Sequence, residues 1–445
     1  MQQDRVDRDE IKRVFELQRR NRTALKATTV AQRSETLLRL RAAIVARAED
    51  ADAALHADLG KPRMGAQHFE VQAVLADIDE TLEHLAEWMA PQIIEPSPRF
   101  AGNETFIMYE PRGVVLLLGP WNFPFGLTFE PLVPIIAAGN SAIVKPNELQ
   151  PATSRLIAQI IRDVFDESQV AVFEGGIPVA EALQELPFDH VFFTGSPAVG
   201  KRVMAAAAQH LTSVTLELGG KCPVIVDDEF PTDQAAAIIA GSRFFNGGQI
   251  CLAADYVFAP RARVGELTEA LSRQIDEMFY IDGVFQPGRF SRIVDARNHA
   301  RVMDSIDEAR ARGATVVRGG RGDVSSLSIE PTLVLDPPAG TRLMLDEIFG
   351  PVLPIVSYDN LDDVEAQVDA TGKPLAVYIL SNSRAFVDEA LLRTSSGGVT
   401  VNGAMTHISE TRLPFGGVNS SGMGRYRGHA GFLELSNARS VFRHA

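Results

Sequence analysis

HVFFTGSPAVGKRVMAAAAQHLTSVTLEL, residues 190–218, holds a strand, a glycine-rich loop, a helix and a second strand in order. The runs HVFFTG at 190 and SVTLEL at 213 have strand length, and the helix-length segment between them sets them parallel and covered on both faces. Upstream the same alternation returns in GVVLLLG at 113, SAIVK at 141 and VAVF at 170. Downstream of Gly219 and Gly220 it resumes with PVIV at 223, YVF at 256, ATVV at 314, TLVL at 332, PVLPIV at 351, LAVYIL at 375 and GGVTV at 397. The pattern predicts an α/β fold of two doubly wound α/β domains that meet near Gly219.

The flanks read differently. Residues 29–90 carry a helical period in Val71, Leu75, Ile78, Leu82, Leu85 and Met89, and Thr29 with Gln32 has capping-box spacing. From Pro91 to Pro111 a proline-bounded stretch around TFIMYE suits an excursion from the body, a candidate interface arm.

Composition excludes several function classes. The 445 residues are 45% hydrophobic and 22% charged, with a formal charge of −14 that opposes nucleic acid or an anionic bilayer. Cys222 and Cys251 are the only cysteines, so no disulfide framework holds this chain and a reducing compartment is expected. MQQDRVDRDEIKRVFELQRR has no apolar core and ARSVFRHA no lipid anchor, so the reading is cytoplasmic, without a signal peptide or membrane anchor.

Four local features can carry chemistry. The loop Gly195-Ser196-Pro197-Ala198-Val199-Gly200 lies where backbone amides and a helix N-terminus meet a phosphate, yet it also suits a tight turn. A magnesium-binding P-loop is disfavoured, because Arg202 stands where a hydroxyl is needed and Pro197 removes a donor. Cys251, in FFNGGQIC, is delivered by small flexible residues, although a cysteine is commonly a buried hydrophobe; Cys222 fits that description better. Glu217 ends a strand beside two glycines, as a base or as a solvated turn residue, and Asn122 in PWNFP offers an oxyanion donor or a turn amide. No metal-ligand spacing is present, and no metal is expected.

Taken in order, PWNFP at 120, KPNE at 145, FTGS at 193, ELGGK at 217, GGQIC at 247, EIFGP at 347 and PFGGVNSSGMG at 414 resemble the aldehyde dehydrogenase superfamily over nearly the whole chain. The segments ADLGKPR at 57, GRFSRIVDARNHARVM at 288 and GMGRYRGHAGF at 422 are similar to its class 3 branch, which includes coniferyl-aldehyde and fatty-aldehyde dehydrogenases. The resemblance implies NAD(P)-dependent oxidation of an aldehyde, with NAD as cofactor and NADP possible. It makes Cys251 the nucleophile, Glu217 the base, and Asn122 with the Cys251 amide the oxyanion hole. Lys145 and Glu148 would take the adenosine ribose, Gly195, Ser196 and Gly200 the pyrophosphate, Glu347 the nicotinamide ribose, and Phe349 would pack near the nicotinamide. Trp121, Phe123, Phe245, Met405 and His407 flank the motifs as an apolar pocket for an aromatic or medium- to long-chain aldehyde.

It also implies a Rossmann-like cofactor domain from 1–90 and 112–218, a catalytic domain from 219–404, and bridging segments 91–111 and 405–445 that join a homodimer. A CoA-acylating dehydrogenase would have less use for a water-activating Glu217, and a silent binding homologue would have lost Cys251, Glu217 or Asn122. Cys222 stands where the family more often has serine.

Overall fold

The computed structural model describes residues 6–445; residues 1–5, part of the expected segment 1–90, lie outside the described residues. Every apolar run named above forms a strand. One six-stranded sheet runs Gly422–Met423, Ser213–Leu218, His190–Gly195, Val114–Leu118, Ser141–Lys145, Val170–Val172, parallel except for the antiparallel edge strand Gly422–Met423. A seven-stranded sheet runs Thr315–Arg318, Thr332–Leu335, Val352–Tyr358, Tyr256–Pro260, Pro223–Val226, Ala376–Leu380, Gly398–Val401, with Thr315–Arg318 as its antiparallel edge.

Alternation along the central strands shows why the runs are continuously apolar. Val115 and Leu117 join one core cluster, whereas Val114, Leu116 and Leu118 join another on the opposite face. In the second sheet Val224 and Val226 face one way and Ile225 the other. Strands buried on both faces cannot alternate with polar residues.

One helix was not expected. Arg8–Lys26 packs on the first sheet through Ile11, Val14, Phe15 and Gln18, and Gln18 donates to the Ala142 and Glu167 carbonyls at 2.8 and 3.0 Å. The Thr29 capping box is formed at the start of helix Val30–Ala46.

A third sheet, Gln92–Ile94, Glu104–Pro111, Ser436–Arg443, is antiparallel, with Glu104 opposite Arg443 and Pro111 opposite Ser436. The expected bridging segment 405–445 is distributed over several parts of the fold. Gly422–Met423 joins the first sheet, helix Gly428–Glu434 packs on helices Ala73–Trp88 and Gly126–Ala137, and Ser436–Arg443 pairs with the arm. The reason is burial: Tyr426, Phe432 and Leu435 belong to the main core.

Candidate active site

The chain leaves the first sheet at Leu218 and enters the second at Pro223, so the strand end, the next loop and the cleft between them share one place. Gly219 leaves room there for the Glu347 carboxyl, which a Cβ would displace. The cleft, about 1580 Å³, is lined by Asn122, Glu217, Cys251, Glu347 and Phe349 among others, and its lining also includes Lys145, Glu148, Gly195 and Ser196.

Cys251 is carried by an unusual turn. After helix Thr232–Phe244, Asn246, Gly247 and Gly248 take φ of 50°, 64° and 71°, three successive left-handed residues of types that tolerate them. A side chain at Gly248 would meet the Gly350 carbonyl at 2.3 Å. The turn then closes as Ala253 N–H donates to Ile250 O at 3.0 Å, with Cys251 and Leu252 between. Burial, then the Glu347 and Glu217 carboxyls, push the Cys251 thiol up, and the amides of Cys251 and Leu252 oppose them.

Asn122 donates its side-chain N–H to Gln249 O at 3.1 Å, which leaves a second N–H on the same amide. Its backbone carbonyl accepts from Lys61 Nζ at 3.0 Å, and Lys61, fully buried, pairs with Glu70. Glu70 in turn accepts the Phe125 and Gly126 amides at 2.9 and 3.1 Å, capping the helix that follows PWNFP. A buried ion pair therefore fixes the Asn122 loop from beneath, and sequence reading missed both partners.

Glu217 is buried with neither carboxyl oxygen partnered. Burial drives its pKa well above the ordinary carboxylate value, while Arg425 and Arg427 pull it back and Glu434 adds to the rise. Glu347 is pushed up to about 8 by burial and by Asp255, against a hydrogen bond from the Gly220 amide and the Arg243 and Arg301 charges. Phe349 has φ of 45°, an outlier for a bulky residue, and its ring meets Trp121 edge-on at 5.2 Å. Arg301 holds that loop through the Ile348 and Phe349 carbonyls at 2.8 and 3.3 Å.

Asp255, four residues past Cys251, is a further residue with no signal in the sequence. It accepts from Lys221 at 2.6 Å, from Arg243 at 2.8 Å and from the Ile348 amide at 3.2 Å, all buried. The Cys251 loop, the loop after Glu217 and the Glu347 loop meet on this one carboxylate.

A dinucleotide fits what remains of the cleft. Ser196 caps helix Pro197–Ala208, whose N-terminus faces the cleft as a diphosphate requires. Exposed Ile177 and Val199 offer apolar faces for a flat base, and Glu148, ion-paired to Lys145, and Glu347 offer acceptors for ribose hydroxyls. Gly200 sits deeper, in the first turns of that helix, where its bare Cα packs against Leu218 and a Cβ would stand 2.7 Å from Cδ2.

The five expected pocket residues separate. Trp121 lines the cleft, whereas Phe123, Phe245, Met405 and His407 do not. Phe245 packs on Phe69 at 4.5 Å and nears Phe123 at 6.2 Å, an aromatic cluster beside the Asn122 loop. His407 is bound to Thr400 Oγ1 at 2.8 Å and sits by Tyr378 and Phe415; burial lowers its pKa to about 4. Among the described residues, Glu80, Glu83 and His84 could converge on a metal ion, and none of them lines the cleft.

Comparison with known proteins gives one consistent result. The model described as "Aldehyde dehydrogenase family" matches residues 1–441. "Aldehyde dehydrogenase, dimeric NADP-preferring" from Canis lupus familiaris is 40% identical, over 92% of this chain and 89% of the relative. "4,4'-diaponeurosporen-aldehyde dehydrogenase" from Staphylococcus aureus is 38% identical, over 92% and 88%. Among solved structures, the substrate-bound state of Staphylococcus aureus AldH superposes with a TM-score of 0.93 at 36% identity, covering 98% of this chain and 94% of that one.

Proposed function

This chain belongs to the aldehyde dehydrogenase family and carries out NAD(P)-dependent aldehyde oxidation, and on that premise we propose how its own residues share the chemistry. Cys251 Sγ, as thiolate, attacks the aldehyde carbon; the C–S bond forms and the carbonyl electrons move to oxygen. Asn122 and the Cys251 amide donate to that oxyanion in a site sheltered from water. When bound, the oxidised dinucleotide supplies the acceptor for the hydride that leaves the carbon. Glu217 takes a proton from water, whose oxygen attacks the resulting thioester; the C–S bond breaks and the carboxylic acid leaves.

The observation that carries this reading is the Glu217 carboxyl, buried without a partner on the cleft that also holds Cys251. A buried acid left unpartnered costs stability, which a base for water explains. Following NADH absorbance with aliphatic and aromatic aldehydes, either dinucleotide and no CoA tests it. Free acid and NADH are expected together; turnover only with CoA would favour the acylating alternative, and none at all a silent homologue. Trp121, the one expected pocket aromatic that lines the cleft, supports aromatic or longer apolar aldehydes as the better substrates.

For the cofactor, NAD is expected to be preferred and NADP tolerated. Glu148 accepts from ribose hydroxyls and repels a 2′-phosphate, a clash worth roughly 1 to 3 kcal/mol in a partly solvated site. Glu148→Gln also frees Lys145 from its ion pair, so the ratio of kcat/KM values for NAD over NADP should fall several-fold. An unchanged ratio would place the selectivity elsewhere.

We take 1–90 with 112–218 as the cofactor domain and 219–404 as the catalytic one, with a cytoplasmic residence that suits two free thiols. The arm sheet is the homodimer surface of this reading. Ser436–Arg443 pairs on one edge only, and Ile93, 77% exposed, lies on the same sheet as Phe442, which packs on Phe100. Light scattering should give twice the chain mass, and Ile93→Asp with Phe442→Asp should shift it toward one. A monomer in the parent at micromolar concentration would overturn the assignment.

A further inference from the structure

Behind the nucleophile turn lie two fully buried groups that the reaction does not use. Cys222 Sγ donates to the Cys251 carbonyl at 3.4 Å and accepts from Ala376 N–H at 3.3 Å. The Tyr378 hydroxyl donates to the Leu252 carbonyl at 2.6 Å. With Ala253 N–H on the Ile250 carbonyl, three consecutive carbonyls of the turn are anchored on the side away from the thiol.

Peptide planarity gives these anchors a consequence. In a trans peptide the C=O of one residue and the N–H of the next point in opposite directions. The carbonyls of Ile250, Cys251 and Leu252 therefore aim the amides of Cys251, Leu252 and Ala253. The first two are the amides that donate to the Cys251 thiol. We propose that Cys222 and Tyr378 are positioning residues: Cys222 holds the Cys251–Leu252 peptide plane and so aims the Leu252 amide at the Cys251 sulfur, while Tyr378 holds the Leu252–Ala253 plane, whose Ala253 amide fixes the Ile250 carbonyl and through it the plane of the Cys251 amide. Neither touches substrate. This inference rests on Cys251 being the nucleophile.

The groups facing the sulfur are Glu347 from its loop, Glu217 from its strand, and Cys222 and Tyr378 from behind. The first two carboxyls are unchanged in every variant below, so a shift in the profile reports the anchors.

The experiment is the pH dependence of iodoacetamide alkylation and of kcat/KM in the full-length parent, Tyr378→Phe, Cys222→Ala and Cys222→Ser, with dinucleotide binding as the check on folding. Tyr378→Phe and Cys222→Ala should move the alkylation midpoint up by roughly half a unit to one unit, since each removes one hydrogen bond. Below that midpoint kcat/KM should fall by about three- to tenfold, converge on the parent at high pH, and leave the aldehyde KM nearly unchanged. Cys222→Ser keeps a donor and should follow the parent. Superimposable profiles in Tyr378→Phe and Cys222→Ala would overturn the proposal, as would a Cys222→Ser shift equal to that of Cys222→Ala, which would show packing alone. Should Cys222→Ala fail to fold, Tyr378→Phe, which loses only a hydroxyl, decides. Mass spectrometry separates the underlying reading: inactivation with label on a residue other than Cys251 would refute the nucleophile, whereas label on Cys251 with an unmoved profile refutes only the anchors.

Discussion

Cys251→Ala is expected to lower kcat/KM by about 10⁴-fold or more while dinucleotide affinity stays within about twofold. The thiol forms the bond that every later step acts on, and a methyl group offers no nucleophile. Cys222 cannot take over, because it is fully buried, already bonded on both sides, and lies behind the turn. The loops expected to hold the dinucleotide, around Lys145 to Glu148 and Gly195 to Ser196, make no bond to the Cys251 side chain. NADH absorbance and a fluorescence titration with NAD measure the two quantities. Residual turnover above about one per cent in mass-verified protein would remove the covalent mechanism.

The second large effect belongs to the base. Glu217→Gln has the same shape and cannot take a proton, so hydride transfer should proceed and the thioester persist. Mixed with aldehyde and NAD, it should release about one NADH per active site and then slow by roughly 10²- to 10³-fold. Because burial raises the Glu217 pKa, the parent's deacylation should climb with pH above the ordinary carboxylate range; the variant's slow phase should lose that climb. Stability carries the same sign. A carboxyl whose folded pKa is raised stabilises the fold while protonated, and this contribution is lost as pH rises through the folded value. Melting temperature should therefore decline less toward alkaline pH in Glu217→Gln than in the parent. A full-speed steady state without a burst would transfer the role to Glu347, the partly buried cleft carboxyl that desolvation and Asp255 push up to about 8.

How far the sequence could be read follows from the range of the interactions. Strands of parallel sheets announce themselves as continuous apolar runs, and a cap such as Thr29 with Gln32 is a three-residue signal. Helix Arg8–Lys26 went unread because its charges mask the i, i+3, i+4, i+7 stripe of Ile11, Val14, Phe15 and Gln18, although that spacing was available. The motif order led to a cleft that contains Asn122, Glu217, Cys251 and Glu347. The Leu218 contact of Gly200 could not be read, because a glycine in a phosphate-type loop looks the same whether it admits a ligand or a leucine. Lys61 and Arg301 lie within the segments ADLGKPR and GRFSRIVDARNHARVM, yet their roles, like that of Asp255, went unread, since the partners that give each its place are set by the fold and have no fixed spacing in sequence.

The Asp255 junction bears on how this active site can change over generations. Lys221, Arg243 and Asp255 are buried together, so losing Asp255 strands two cations, and losing either cation leaves the carboxylate with a single positive charge beside it. Breaking a buried pair from one side costs about 3 to 5 kcal/mol, a large share of a domain's whole stability. A lineage cannot cross that gap one codon at a time without passing through a poorly folded ancestor. The three positions are historically entrenched as a block, and variation that retunes the Glu347 loop has to enter through neighbours that leave the block intact.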